Sequence, residues 1–175
     1  KEQLLELAEL KVKYPEIVLP FIHVDPRRPG IQDLVTEFVE NWGFKGVKLY
    51  PSLGYFPYDK DLYPVYEYCI EKNLKIISHC SPDTPVHFRG NPFNYKELKV
   101  LLSKSKKPLN TSFKNRKELC AYFAHPSNYE YVLNDFPDLK ICLAHIGSGY
   151  YWKRYLKNPN DPKNWLVIIT DLIAR

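Results

Sequence analysis

The sequence predicts an α/β fold in which parallel strands alternate with helices, and two observations support this. Short apolar runs rich in β-branched residues alternate with longer stretches whose apolar residues have helical spacing. Strict alternation of strand and helix produces a parallel sheet with right-handed crossovers. The chain has 175 residues, which is enough for one hydrophobic core. We therefore expect a single domain over residues 1–175.

Four segments are predicted to be strands, because each is short, apolar and followed by loop-forming residues. The first precedes a loop rich in Pro and Gly, and the second is stopped by Pro51. The third and fourth each follow a helix-like stretch and end in a histidine. The predicted strands cover residues 17–24, 46–50, 74–79 and 139–145.

Helices are predicted between these strands from the spacing of apolar residues. Gly43 occupies the position where a helix commonly ends in left-handed backbone. The predicted helices cover residues 2–13, 31–42, 61–72 and 128–136, with a last helix from about residue 163 and a turn and loop before it. Residues 80–126 are poorly periodic and are predicted to be a long insertion with one short helix over 95–103. Connections of that length are commonly functional.

Four strands form either a small open sheet or part of a barrel. A complete (β/α)8 barrel needs ~250 residues. We therefore expect this chain to supply only part of such a barrel, with the single domain incomplete.

Composition and motifs exclude several classes of protein. The net charge of +5 comes from scattered Lys and Arg, which indicates a solvated surface rather than a nucleic-acid interface. No segment resembles a membrane span or a signal peptide. The cysteines lack zinc-ribbon spacing, so we expect buried free thiols, Cys69 and Cys142 in particular, in a reducing cytoplasm. No phosphate-binding Gly-rich loop and no serine or cysteine nucleophile signature is present.

His79 and His145 are the candidate metal ligands, because each ends a predicted strand. The carboxyl ends of parallel strands form the edge where α/β folds hold their chemistry. Alternation along each strand places His79 with Ile77, and His145 with Ile141 and Leu143, on one face that would be a barrel interior. The alternative is that each is a hydrogen-bonded, half-buried histidine; for the pair, metal ligation is favoured.

Lys48 is a lysine inside a short apolar strand, where an unpaired ammonium is costly. It could be carbamylated to bridge two metals, pair with a substrate anion, or reach solvent past the strand end. Arg27 and Arg89 lie in predicted loops and could bind a substrate carboxylate through two hydrogen bonds. The alternative for both arginines is an ordinary surface charge.

Two further histidines and an aromatic cluster complete the candidates. His125 precedes a helix that begins with Pro and is either a proton-transfer residue near the substrate or a helix-start residue. His23 ends the first strand and either faces the same edge or caps the following loop. An aromatic group follows the Lys48 strand and could line a pocket or simply pack the loop: Tyr50, Tyr55, Phe56 and Tyr58.

Four segments together resemble the metal-dependent amidohydrolase superfamily, more closely its amidohydrolase-related branch that includes decarboxylases of aromatic acids. They are residues 21–27, 43–51, 77–79 and 136–147. The resemblance implies a (β/α)8 TIM barrel of which this chain supplies about strands 3–6. It makes His79 the ligand that ends strand 5 and His145 the histidine that ends strand 6. It also places Lys48 on strand 4, where in this branch the lysine is usually not a metal bridge.

The same resemblance implies residues that this chain does not contain. The superfamily has a His-x-His pair on strand 1 and an Asp on strand 8, and neither is present here. We therefore expect this chain to be the middle of a longer enzyme. The implied cofactor is a divalent metal, with zinc favoured and manganese or iron as alternatives.

The resemblance implies hydrolysis of an amide, lactone or ester by a metal-activated water, with His145 in a catalytic role. The alternatives are metal-dependent decarboxylation of a small aromatic or unsaturated acid, and a non-catalytic partial barrel that acts as an interaction module. We expect a small-molecule substrate that carries a carboxylate, no nucleic-acid or membrane partner, and a homodimer.

Overall fold

The computed structural model describes residues 2–82, 88, 94–108 and 112–174. Its strands are β1 (Phe21–Val24), β2 (Gly46–Leu49), β3 (Lys75–His79) and β4 (Ile141–Ala144). Its α-helices are α1 (Glu2–Lys13), α2 (Ile31–Trp42), α3 (Tyr63–Glu71), α4 (Tyr95–Leu102), α5 (Arg116–Ala124), α6 (Asn128–Asp135), α7 (Ser148–Lys157) and α8 (Trp165–Ile173). Short 3₁₀ turns lie at Pro51–Leu53 and Lys60–Leu62.

The four strands form one parallel sheet in the order β1-β2-β3-β4. Strands that are consecutive in the chain are therefore neighbours in the sheet. The predicted α/β class is confirmed. All four carboxyl ends lie at the same edge of the sheet, which brings the residues that follow each strand together.

The two faces of the sheet have different environments. On the face that packs against the helices, the row of paired residues is apolar, and Ile22, Val47 and Ile76 are fully buried. The opposite face carries the row His23, Lys48, Ile77 and Cys142, whose members are only partly buried or exposed. The face with polar side chains is therefore the one that remains accessible among the described residues.

The register corrects two sequence predictions about β4. Ile141 pairs with Ile76 and Leu143 pairs with Ser78, so both lie on the helix-covered face rather than with His79. Cys142 lies on the other face and is exposed, so the prediction of a buried thiol there is wrong, whereas Cys69 is buried as predicted. Successive residues of a strand lie on opposite faces of the sheet. A pairing register that differs by one residue therefore exchanges the two faces, which accounts for both errors.

The core explains where the predicted helices pack and end. In α2, the residues Ile31, Val35 and Phe38 are buried at intervals of three and four. The helix ends at Gly43, whose φ is 67° and whose N–H donates to the carbonyl of Phe38. The predicted end of α2 is thus confirmed.

The structure departs from the prediction at three segments. The first strand starts at Phe21 rather than near residue 17, because the N–H groups of Ile17 and Val18 both donate to the Tyr14 carbonyl in a turn. Helix α5, capped by the Asn115 side chain, lies inside the predicted insertion. Helix α7 occupies a segment predicted to be a turn and loop, and none of its residues is buried. No helix of the described residues has the length and apolar content needed to cross a bilayer.

Candidate functional site

A cleft of about 630 Å³ lies at the carboxyl ends of β2, β3 and β4. Its walls come from the ends of these three strands and from α7, so the sheet edge and one helix shape it together. The residues that line it include Lys48, Tyr50, His79, Ser81, His145 and Trp152. Both predicted metal ligands and the predicted lysine therefore share one cavity.

His79 is the last residue of β3 and is only 3% exposed. The pairing of Leu49 with Ser78 places the next residues, Tyr50 and His79, side by side at the edge of the sheet. Their rings stack with centroids 4.3 Å apart and planes inclined by 14°. The imidazole of His79 is thus fixed against an aromatic face.

His145 follows β4 directly, and its backbone has left the strand conformation. Its φ is 70°, and the three following residues, Ile146, Gly147 and Ser148, also have positive φ. Non-glycine residues adopt this region rarely, and a β-branched residue such as Ile146 does so at a cost. The Gly147 N–H donates to the Cys80 carbonyl at 2.9 Å and holds the turn against the end of β3.

The left-handed turn decides where the His145 ring lies. A continued strand would point this side chain to the helix-covered face, because the preceding Ala144 pairs with His79. The observed ring instead lies beside His79, with centroids 4.9 Å apart and planes inclined by 61°. Local strain of this kind is commonly found at functional sites.

The separation of the two imidazole rings can be compared with that of two ligands of one divalent metal ion. Imidazole nitrogens bind zinc at ~2.0–2.1 Å, which puts the centroids of two rings on one tetrahedral ion roughly 5 Å apart. The observed separation between His79 and His145 is 4.9 Å. Among the described residues, no group of three or more His, Cys, Asp or Glu side chains has the geometry of a metal site. That His79 and His145 bind a metal ion therefore stays a prediction.

Lys48 contributes the positive charge of the cleft. It is half-buried on β2, and its Nζ lies 5.9 Å from the centroid of the Tyr50 ring. Burial lowers the pKa of Lys48, and the nearby Cys142 thiol opposes that shift. The lysine therefore lies inside the cleft, beside the histidines, rather than out in bulk solvent.

Arg27 does not line the histidine cleft. Its Nε and Nη2 donate to the two carboxylate oxygens of Asp25 at 2.8 and 2.6 Å. Burial opposes ionisation of Asp25, but the hydrogen bonds from Arg27 outweigh it, and the pKa of the carboxyl is lowered. The guanidinium lies over the ring of Tyr55 in a smaller, separate cavity. The other predicted arginine, Arg89, lies outside the described residues.

His125 lies in a second cavity of about 310 Å³ beside Trp165. Its Nδ1 accepts from the Ser127 backbone N–H at 3.2 Å and is 2.7 Å from the Ser127 hydroxyl, so the neutral ring carries its proton on Nε2. Burial, with a smaller effect of Lys107, lowers the pKa of His125 to about 4. The helix-start interpretation therefore describes its contacts, and the structure does not bring it to the histidine pair.

The aromatic group divides between the cleft and the core. Tyr50 lines the cleft, whereas Phe56 and Tyr58 are buried and stack on each other at 4.9 Å. Tyr55 is also buried, and its hydroxyl is hydrogen-bonded to the backbone of Tyr50 and Val24. The sequence prediction missed Trp152 because its helix was expected to be a loop. A signal was available, since an aromatic residue soon after a strand-end histidine lies near the same edge.

A family model described as Amidohydrolase matches residues 2–169. The chain belongs to the amidohydrolase family. Divalent metals are general in this family. Membership of the decarboxylase-like branch stays a prediction.

One solved structure supports the barrel architecture of this amidohydrolase chain. The uncharacterised TIM-barrel protein Bb4693 from Bordetella bronchiseptica aligns with a TM-score of 0.51 and 18% sequence identity. The alignment covers 90% of this chain and 46% of that protein. The four strands and their helices are thus consistent with part of a (β/α)8 barrel. No curated protein matches the chain.

Proposed function

We propose that this amidohydrolase chain forms part of a metal-dependent hydrolase in which His79 and His145 bind a divalent ion, zinc by preference. The observation that carries the proposal is the separation of 4.9 Å between the two ring centroids in one cleft. Two other facts support it: the chain strains its backbone to bring His145 to this position, and its family generally uses divalent metals. The remaining ligands would come from outside the described residues.

The residues of the cleft have separate roles in this proposal. His79 is buried and stacked, so it would act as a fixed ligand. His145 is exposed, so it can contact both the ion and the substrate carbonyl that it orients. When bound, a divalent ion lowers the pKa of a water molecule and polarises the carbonyl that the water attacks, which is the chemistry that amide, lactone and ester hydrolysis requires.

The cleft favours a small substrate with an anionic group. Lys48 supplies a cation, and no acidic side chain appears among the described residues that line the cavity. The side chain of Trp152, which is 46% exposed, offers an apolar surface at the opening. We therefore propose a carboxylate-bearing small molecule as substrate. All four cysteines are free, as a reducing compartment keeps them, and we propose the cytoplasm as the location.

Decarboxylation is the alternative reaction, and Lys48 is the observation that favours it, because it could hold the carboxylate that is lost. Arg27 gives this alternative no support, since Asp25 occupies its guanidinium. Product analysis separates the two reactions: hydrolysis adds water to the substrate, whereas decarboxylation releases carbon dioxide.

The test is metal content and activity of the intact protein with matched histidine variants. We expect stoichiometric divalent metal in the wild type, its loss in His79→Ala, and its retention in His125→Ala, which removes a histidine of the separate cavity. Activity against panels of lactones, esters and aromatic carboxylates should be lost with the metal. Wild-type protein without metal after zinc reconstitution, or an active His79→Ala variant, would refute the proposal.

A further inference from the structure

We infer that Tyr50 is a positioning residue for the metal site, which it serves by fixing the imidazole plane of His79. This inference rests on the proposed function, because it concerns a ligand of the proposed ion. Tyr50 would contact neither the ion nor the reacting atoms. Its effect would be on metal affinity, through the orientation of the ring beside it.

The stacking geometry is the first support. The rings of Tyr50 and His79 are nearly parallel, at 14°, and their centroids are 4.3 Å apart. An imidazole that lies against a flat surface keeps its plane, whereas one in an open cavity rotates about its side-chain torsions. Ligand rings in metal sites depend on neighbours that hold their orientation; for hydrogen-bonded neighbours the loss typically lowers metal affinity 10–100-fold, and we expect a stacked neighbour to act at the lower end of that range.

The second support is that Tyr50 is itself held in place. Its backbone N–H donates to the hydroxyl of Tyr55 at 2.6 Å, and that hydroxyl donates to the Val24 carbonyl at 3.1 Å. Tyr55 is buried, and burial raises its pKa, so the hydroxyl keeps its proton. The end of β1 is therefore connected to the end of β2 and, through the Tyr50 ring, to His79 at the end of β3.

The third support is the set of charged and aromatic groups around the Tyr50 and His79 rings. The ammonium of Lys48 lies 5.9 Å from the Tyr50 ring, that ring is 4.3 Å from the His79 ring, and the His79 ring is 4.9 Å from that of His145. Tyr50 is thus a neighbour of both the cation and the first of the two histidines. An aromatic face also attracts positive charge, so it favours an imidazole that shares the charge of an ion.

The experiment measures metal affinity by chelator competition with Zn²⁺, and with Co²⁺ whose absorption spectrum reports ligand geometry. It uses the intact protein and the variants Tyr50→Phe, Tyr50→Leu and Tyr50→Gln. The phenylalanine variant keeps the stacked ring and should bind Zn²⁺ within about threefold of the wild type. The leucine and glutamine variants lose the ring and should bind about tenfold more weakly or worse, with an altered Co²⁺ spectrum.

Tyr131→Leu is the matched control. Tyr131 is also half-buried, also packs against one ring, that of Tyr58 at 5.0 Å, and also has a lysine ammonium 5.0 Å from its ring centroid, but it lies on α6 outside the cleft. This variant should bind Zn²⁺ like the wild type at equal thermal stability. Unchanged affinity in folded Tyr50→Leu or Tyr50→Gln would overturn the inference and leave the proposed function standing. A wild type that binds no metal would instead overturn both.

Discussion

The ring of His145 reaches the ring of His79 because the chain turns left-handed immediately after β4. The two histidines come from neighbouring parallel strands, but regular strand geometry would put them on opposite faces of the sheet. Four successive residues with positive φ, from His145 to Ser148, reverse the direction of the second ring. The proposed site thus depends on a turn as well as on two side chains.

The turn should be sensitive to a side chain at Gly147. Its φ is 76°, and an added Cβ would lie 3.0 Å from the Cβ atoms of Trp165 and Tyr151. We expect Gly147→Ala to lower the free energy of unfolding by about 1–2 kcal/mol, the cost of left-handed backbone for an L-residue, and to weaken metal binding. Urea unfolding and chelator competition measure the two effects.

Gly149→Ala provides the comparison for that prediction. Gly149 lies two residues on, in the first turn of α7, and an added Cβ there meets no atom within 4 Å. Alanine should be neutral or slightly stabilising at this position, because glycine costs a helix about 1 kcal/mol. Equal free energies of unfolding for the two variants would contradict the predicted cost of a side chain in the left-handed turn.

Tyr55→Phe should destabilise the fold, because its hydroxyl connects the ends of β1 and β2. The substitution removes the hydroxyl that accepts from the Tyr50 N–H and donates to the Val24 carbonyl. A buried polar group left without a partner costs about 1–3 kcal/mol. Thermal or urea unfolding measures the loss, and Tyr14→Phe, at an exposed tyrosine, should leave stability unchanged.

Lys48→Met should change the selectivity of the proposed enzyme. A hydrogen bond to a charged group contributes about 1.5–3 kcal/mol, so KM for carboxylate-bearing substrates should rise about tenfold or more. Substrates without a carboxylate should keep their KM. Lys153→Met, at an exposed lysine of α7 that does not line the cleft, serves as the control. A uniform loss for both substrate classes would contradict the assigned role.

The free energy of unfolding should decrease as the pH is lowered, partly because of His125. Its folded-state pKa is about 4, below the ordinary value of 6.5, so the unfolded chain takes up its proton first. This contribution is present in full above pH 6.5 and is lost as the pH falls from 6.5 towards 4. In His125→Asn, whose amide oxygen can still accept from the Ser127 N–H, urea unfolding should show a smaller loss across that interval. An identical slope in wild type and variant would contradict it.

The strands and most helices could be predicted from the sequence, whereas helix α7 and the start of β1 could not. Alternating apolar runs and helical spacing identify the four parallel strands and most helices, because burial imposes those periods. Helix α7 escaped prediction because the residues Gly147-Ser148-Gly149 at its start are typical of a turn. The start of β1 was misplaced because Pro15 and Pro20 flank a turn whose hydrogen bonds no periodicity reveals.

Three residues of the candidate cleft could be predicted from the sequence, but their geometry could not. His79, His145 and Lys48 share the cleft, as their places in the strands suggested. The face of His145 could not be inferred, since a left-handed residue breaks the alternation on which the inference rested. The Asp25 partner of Arg27 was also missed, although the two lie only two residues apart. The guanidinium of a loop arginine close to an aspartate more often binds that carboxylate than a substrate.

The measurement that tests the central claim most directly is the crystal structure of the intact protein, with anomalous diffraction recorded at the zinc absorption edge. We predict one strong anomalous peak, from a zinc ion bound by imidazole nitrogens of both His79 and His145 at ~2.0–2.1 Å. A zinc-loaded crystal in which the ion lies elsewhere, or is bound without these two side chains, would contradict it.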